Sequence, residues 1–316
     1  MQLISPDSNI DFLGKRTIAM SLSAIVVLIS VIVLFPAVRG LNFGIDFTGG
    51  TLVEVQFKQA PAIADVRQAI APAGYSHAII QQFGSPEEVL IRVQNKASDT
   101  SSTISNAILS ALKSSFGDDK MEMRRVEFVG PQVGEELTQA GISAVAIAML
   151  AILVYVTFRF ELRFALGADA ALLHDILIVL GVFAILGKEF SLPVVAAVLA
   201  VIGYSLNDTI VVFDRIRESL EANQKLKHPL EETTVCNNAI NQTLARTLMT
   251  SFTTLLVVLA LFFLGGEVIH GFAFALLVGI MVGTYSSIFI ATPAMLSLSG
   301  RFKTSDEDLA EIDARP

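Results

Sequence analysis

Six apolar stretches settle most of what this chain can become. They fall at about residues 17–37, 137–158, 164–186, 190–213, 243–264 and 270–296. Each comes close to the roughly 20 residues that a helix needs to cross a hydrocarbon core. In lipid every backbone polar group must be satisfied internally, so stretches of this length are expected as helices. The composition agrees: 53% of the residues are hydrophobic and 16% are charged, against about 45–50% and 25% in soluble domains. The 30 acidic and 22 basic residues crowd into what remains. The net charge of −8 therefore says little about partners, and nothing in it points to nucleic acid. The single cysteine, Cys236, excludes an intrachain disulfide and reads as an inert small residue in a loop.

The first stretch follows Lys15 and Arg16. Its apolar run is longer than a secretory h-region of roughly 7–15 residues, and no clear small-x-small site follows it. It reads as an uncleaved anchor. Orientation follows from basic residues in the short loops. Lys15 and Arg16, Arg159 and Arg163, Arg215 to Lys227, and Arg301 with Lys303 fall on one side, and only Lys188 falls on the other. Both ends, 1–16 and 301–316, are then expected in the cytoplasm, with a cytoplasmic loop at about 214–242 between spans 4 and 5. Residues 38–134 lie outside, and 135–300 carry spans 2 to 6.

The outside insert can be read strand by strand. Residues 51–57 alternate apolar with polar, as a half-buried strand does. Pro61 opens a helix to about Ala71. Residues 78–83 and 89–93 read as strands joined through Gly84-Ser85-Pro86. Residues 101–116 carry Ile104, Ile108, Leu109 and Leu112 at helical spacing, and 121–129 form a last strand. The order is β-α-β-β-α-β, a ferredoxin-like arrangement.

Three passages carry more specific information. The first is Phe43-Gly44-Ile45-Asp46-Phe47-Thr48-Gly49-Gly50-Thr51. The second is Arg125-Val126-Glu127-Phe128-Val129-Gly130-Pro131-Gln132-Val133-Gly134. The third runs from Gly203-Tyr204-Ser205-Leu206-Asn207-Asp208 through Phe213-Asp214-Arg215-Ile216-Arg217-Glu218. Together, in this order over about 10–300, they closely resemble the bacterial SecF family, accessory subunits of the Sec protein-export machinery. The first passage is shared with the sister SecD chains, whose outside domain is much larger. The resemblance implies six transmembrane helices of RND type. It implies pairing with SecD, docking on the SecYEG channel with YajC as a further candidate partner, and contact with the unfolded exported polypeptide and with membrane lipid. It also implies that protons, rather than a bound cofactor, are the coupling ion.

The candidate residues start with Asp208. A carboxylate at the centre of a membrane helix costs roughly 3 kcal/mol on insertion scales and less toward an interface, so it is a functional candidate by default. It reads either as a buried proton acceptor or as a helix-end carboxylate reaching the interface. Arg246 on span 5 lies at a similar depth and could pair with it laterally, or could be a basic flank. The resemblance favours the pair, because SecF-like chains place a functional Asp and Arg at these positions. Asn207 is expected to hydrogen-bond across helices. His174 and Asp175 sit near mid-span 3. They read as a polar contact between helices or as part of a proton relay. Asp169 reads as an interfacial residue. Asp46, Gly49 and Gly50 read as a tight turn with Asp46 as its candidate cap, with a share in passing movement from span 1 to the outside domain. Gly279 and Gly283 permit close helix approach. Asp214 to about Leu226 reads as a solvated helix on the membrane surface.

Two other functions fit less well. An RND-type exporter of lipids or small molecules usually carries both halves in one chain, and this chain supplies one half. An intramembrane protease using Asp175, Asp208 and His174 lacks the H-E-x-x-H pattern and a Gly-x-Gly-Asp around Asp208. No G-x-x-x-x-G-K-[ST] loop is present, so ATP bound here is not the expected energy source.

Overall fold

The computed structural model describes residues 9–93 and 101–299. Of the expected cytoplasmic ends, 1–8 and 301–316 lie outside the described residues, and so do Arg301 and Lys303.

The chain begins with α1 (Arg16–Leu34), the two-residue strand β1 (Asn42–Phe43) and the single turn α2 (Ile45–Thr48). A small domain follows: β2 (Gly50–Phe57), α3 (Ile63–Ile70), β3 (Ile79–Phe83), β4 (Ser85–Val93), α4 (Ser101–Phe116) and β5 (Met121–Val129). The remainder is helical. It comprises α5 (Pro131–Arg159), α6 (Leu162–Leu186), the short strand β6 (Glu189–Phe190), α7 (Leu192–Gln224), α8 (Glu232–Leu264) and α9 (Glu267–Ser286). A π-helical turn, Ser287–Ala291, joins α9 to α10 (Thr292–Leu298). Among the described residues six segments are long and apolar enough to cross a membrane: Leu13–Leu34, Pro131–Arg159, Leu162–Leu186, Leu192–Gln224, Glu232–Leu264 and Val268–Leu298.

These match the six expected spans, with informative differences at the ends. Pro131 sits in the first turn of α5, where its missing N–H leaves nothing unpaired, so that helix starts six residues before position 137. At 33 residues, α7 is about 50 Å long, well beyond a core of about 30 Å. The segment from Asp214 onward is therefore the continuation of span 4 and not a separate surface helix. Likewise α8 begins at Glu232, which puts Cys236 in a helix, fully buried, and not in a loop.

The small domain has the strand order β3-β4-β2-β5, antiparallel throughout. That is the ferredoxin-like order. Val53, Val55 and Phe57 alternate onto one face of β2 and meet Val66 and Ile70 of α3 and Ile104, Ile108 and Leu112 of α4 in a closed core. Leu52 and Leu90 point to the opposite face and pack on Ile45 of α2. Two boundaries differ from expectation. Pro61 lies outside α3, which starts at Ile63. Strand β4 includes Ser85 and Pro86; Pro86 falls where neither β2 nor β3 pairs with it, so its missing donor breaks no ladder bond.

In the helical part α1 runs along α6, and α7 packs against α8 and α9. Half of the apolar window is buried in α6, in α7 and in the last span, but only 6–17% in α1, α5 and α8. The outward faces of these three helices are left for lipid or for other helices.

Two polar anchors fix the ends. At the sheet side β1 pairs in parallel with β6, tying the exit of α1 to the α6–α7 connection. At the opposite side Asn237 and Asn241, one turn apart on α8, hold the segment before α1. Asn237 Oδ1 accepts from the N–H groups of Phe12 (2.9 Å) and Leu13 (3.2 Å), Asn241 Oδ1 accepts from Ile10 N–H (2.8 Å), and both amides donate to Ile10 O.

Candidate functional site

On α7 the buried positions run Val194, Val195, Ala197, Val198, Val201, Ile202, Ser205, Asp208, Thr209, Val212, Phe213 and Ile216. That is one stripe at helical spacing, and Asp208 belongs to it. Sixteen residues separate it from Leu192, about 24 Å of helix. Its side chain is 6% exposed and points into the bundle, which the interfacial reading does not accommodate. Ser287 Oγ donates to Asp208 Oδ2 at 2.8 Å.

Asp175 lies thirteen residues into α6, about 20 Å, and is 1% exposed. It meets polar groups on three sides. Ser205 Oγ of α7 donates to Oδ2 at 2.6 Å, and Ser286 Oγ donates to the same oxygen at 2.8 Å. His174 Nδ1 lies 2.9 Å from Oδ1. The His174 ring stacks on Tyr285 at 6.2 Å, and its buried Nε2 has no hydrogen-bond partner among the described residues. Tyr285 continues the chain of polar contacts to α1, donating to Ala19 O at 3.1 Å and lying 3.0 Å from Ser23 Oγ.

The two carboxylates thus meet adjacent residues. Ser286 serves Asp175 and Ser287 serves Asp208, at the point where α9 passes into the π turn. A π turn redirects successive side chains, and such turns concentrate at functional sites. Gly283 allows the approach: a Cβ there would lie 3.0 Å from Ser205 Cβ and 3.5 Å from Asp175 Oδ2. The glycine pair expected to serve packing alone therefore also borders the polar network. Tyr285, Ser286, Ser287 and Ser205 were not singled out in the sequence. The signal was there as a run of hydroxyls inside an apolar span, one residue beyond Gly283 and Thr284.

Two expectations are not met. Asp208 and Arg246 form no ion pair, and among the described residues Asp208 has no such partner. The reason is helical phase. Thr247, 1% exposed, faces the interior from α8, and Arg246, one residue away, turns to the exposed surface. Its charge still acts on Asp208 through space. Among the described residues Asn207 makes no hydrogen bond across helices; it too is exposed, on the outward side of α7. Asp169 is half-buried, with Oδ1 enclosed and without a hydrogen-bond partner among the described residues.

The sheet side holds the second group of residues. Gly49 (φ +65) and Gly50 (φ +134) occupy backbone conformations open to glycine. A Cβ on Gly50 would lie 2.6 Å from Val93 O, and one on Gly49 would lie 2.9 Å from Pro131 Cα. The turn is therefore pressed between the domain and α5. Asp46 caps a different element from the one expected. Its Oδ2 accepts the Leu192 N–H at 2.7 Å, at the start of α7, where a negative charge also meets the helix dipole favourably. Beside it, Arg92 of β4 reaches Glu189 Oε2 at 2.6 Å and donates to Phe43 O at 2.9 Å. Gln81 of β3 donates to the same Glu189 oxygen at 3.3 Å. Burial pushes the Glu189 carboxyl above its ordinary range, against the opposing pull of the Arg92 guanidinium.

At the far end Asp214 and Arg217 are not simply solvated. Arg159 and Arg217 both pair with Asp214, at 3.1 and 3.6 Å, and both guanidinium groups lie over Phe160, at 5.3 and 5.4 Å. These exposed pairs fix the α5–α6 turn against α7 more than they add stability.

Comparison with known proteins gives the same direction throughout. The C-terminal family model of SecD/SecF protein export membrane proteins matches residues 108–301, and the SecD/SecF GG motif matches 35–61. The chain is 54% identical to the protein translocase subunit SecF of Magnetococcus marinus, covering 94% of each chain. It is 42% identical to that of Pseudomonas aeruginosa, over 97% of this chain and 96% of the relative. Among solved structures it is similar to SecDF of Thermus thermophilus, described as a translocon-associated membrane protein, with TM-score 0.83 and 36% identity over 95% of this chain. A SecDF structure in a super-membrane-facing form gives TM-score 0.69 and 37% identity over 98% of this chain. The chain spans 40% and 41% of the length of those two solved chains. It belongs to the SecF side of the SecD/SecF family of protein-export membrane proteins.

Proposed function

We propose that this chain is the SecF subunit of a bacterial protein translocase and that it uses the proton gradient across the inner membrane to promote export. The observation that carries the reading is the pair of buried carboxylates, Asp208 and Asp175, served by adjacent hydroxyls at a π turn. One charge moving across 100 mV releases about 2.3 kcal/mol, enough to bias two packings of the α7–α9 contact if they differ in proton affinity. The coupling ion is the proton, with no bound cofactor, and the chain hydrolyses neither ATP nor peptide.

Both ends lie in the cytoplasm and the sheet domain outside, a reading that the basic residues of the short loops support. The chain is half of a working unit. Asn207 and Arg246 are polar groups exposed at the depth of Asp208, where lipid cannot satisfy them. A SecD-type partner covers them, as the longer solved chains support, and this unit docks on SecYEG, with YajC as a further partner. The exported, unfolded polypeptide is the substrate.

The test is complementation. Inner-membrane vesicles lacking the chain should lose the gradient-dependent part of export and regain it when the chain and its partner are restored. Full gradient-dependent export without the chain would refute the reading.

A further inference from the structure

The sheet domain meets the start of the helix that bears Asp208 through polar side chains around an open cavity. Between the domain and the connections at the sheet side lies a cavity of about 550 Å³, lined by Leu52, Leu90, Gln81, Glu189, Ser191 and His270 among others. Apolar packing there comes from the small cluster of Ile45, Leu52 and Leu90, with Phe83 and Val129 packed against it. What spans the gap with a charge is Arg92, its side chain 4% exposed, beside the neutral Gln81, which donates to the same Glu189 oxygen at 3.3 Å. Arg92 is anchored in β4, at the residue that pairs with Leu52 of the central strand β2. Its guanidinium bonds Glu189, three residues before α7, and the carbonyl of Phe43, three residues before Asp46. Asp46 in turn holds the first N–H of α7. From Leu192 the helix runs unbroken to Asp208 and beyond.

We infer that Arg92 and Glu189 are positioning residues of the export cycle, a strut that makes the sheet domain and α7 move as one. The inference rests on the proton-driven reading above and adds the route by which a change at Asp208 reaches the domain. An unbroken helix carries displacement along its axis with little loss. The ion pair joins a buried guanidinium, held also by the Phe43 carbonyl, to a half-buried carboxylate, and removing the carboxylate charge leaves Arg92 buried and uncompensated. An apolar contact beside an open cavity would let the domain slip. The strut does not, and its two ends lie on elements far apart in sequence.

The test uses the full chain with its partner in liposomes. Spin labels at Lys58→Cys on the domain and Leu186→Cys at the end of α6, in a Cys236→Ser background, report the domain's position with and without a gradient. With the native strut the distance changes when the gradient is applied. In Arg92→Gln, and separately in the isosteric Glu189→Gln, the change is lost and gradient-driven export falls about tenfold, within the usual range for coupling between sites. The exchanged pair Arg92→Glu with Glu189→Arg restores both. A distance change that persists in the single variants overturns the strut. So does failure of the exchanged pair to restore it while the complex assembles normally. A native complex whose distance never responds also overturns it, because nothing then passes through the pair. The proton-driven reading fails separately, by the loss of gradient-driven export being absent in Asp208→Asn.

Discussion

Removing the Ser286 hydroxyl measures the charge on Asp175. In the native chain Asp175 Oδ2 receives two short hydrogen bonds, 2.6 Å from Ser205 and 2.8 Å from Ser286. The 2.6 Å bond falls in the range of about 2.5–2.7 Å characteristic of a hydroxyl meeting a carboxylate anion, and Ser286 donates to that same oxygen. A hydrogen bond to a charged group is worth about 1.5–3 kcal/mol, and a neutral one about 0.5–1.5. Ordinary interhelical hydrogen bonds in membranes average about 0.6 kcal/mol. The magnitude therefore discriminates. The perturbations are Ser286→Ala, Asp175→Asn and the double variant, with Ser205→Ala as a parallel series. The assay is reversible unfolding of the purified chain in mixed micelles, read as a double-mutant cycle. A coupling above about 1.5 kcal/mol in each cycle is the expected result. A coupling near about 0.6 kcal/mol would refute the reasoning, because Asp175 would then be an ordinary polar contact.

Three further outcomes are expected. Gly50→Ala forces a Cβ to 2.6 Å from Val93 O at φ +134, so it should lower stability by about 1–3 kcal/mol; an unchanged melting temperature would mean that the turn can relax. Asn237→Ala removes three hydrogen bonds to residues 10, 12 and 13. Exchange of the Phe12 and Leu13 amides should accelerate roughly thirtyfold, for about 2 kcal/mol of local opening, and native protection would contradict the clamp. For Glu189 the sign is worked from burial. The docked domain raises its carboxyl above the ordinary value of 4.5, with Arg92, Gln81 and Asp46 the charged and polar groups acting on it. The docked state thus binds the proton more tightly than the released state. Docking should strengthen as pH falls toward 4.5 and weaken as pH rises through the raised value, whereas transmission of movement through the Arg92–Glu189 pair needs the ionised carboxylate and should be lost over the same fall in pH. A spin-label distance distribution across this range checks it, and Glu189→Gln should remove the slope.

Much of this architecture was legible in the sequence because lipid and sheet impose simple periods. Six apolar runs became six spans, and the alternation in residues 51–57 and the spacing of Ile104, Ile108 and Leu112 became the closed face of the sheet domain. Boundaries failed where no solvent change marked them. Spans 4 and 5 continue beyond their apolar stretches as helix, so hydropathy ended span 4 too early and started span 5 too late. Asp208 was visible because a carboxylate is costly in lipid. Its true neighbour was not, because serine is cheap there and carries no signal. Arg246 lies near enough to act on Asp208 through space, but one residue of helical phase separates a lateral pair from an outward charge, and Thr247 takes the inner position. Asn207 misled for the same reason. Asp46 stood out in its motif, yet its acceptor role belongs to Leu192, 146 residues away, and no local rule reaches that far. The Arg92–Glu189 pair was invisible for the same reason.

The most direct measurement is gradient-dependent export by the Asp208→Asn variant. It is read in vesicles that contain the variant, its SecD-type partner and the channel, with assembly verified by copurification. Loss of the gradient-dependent component, with gradient-independent export intact, is the expected result. Gradient-dependent export at the native rate would contradict it, and Asp208 would then be a buried polar residue with no part in proton coupling.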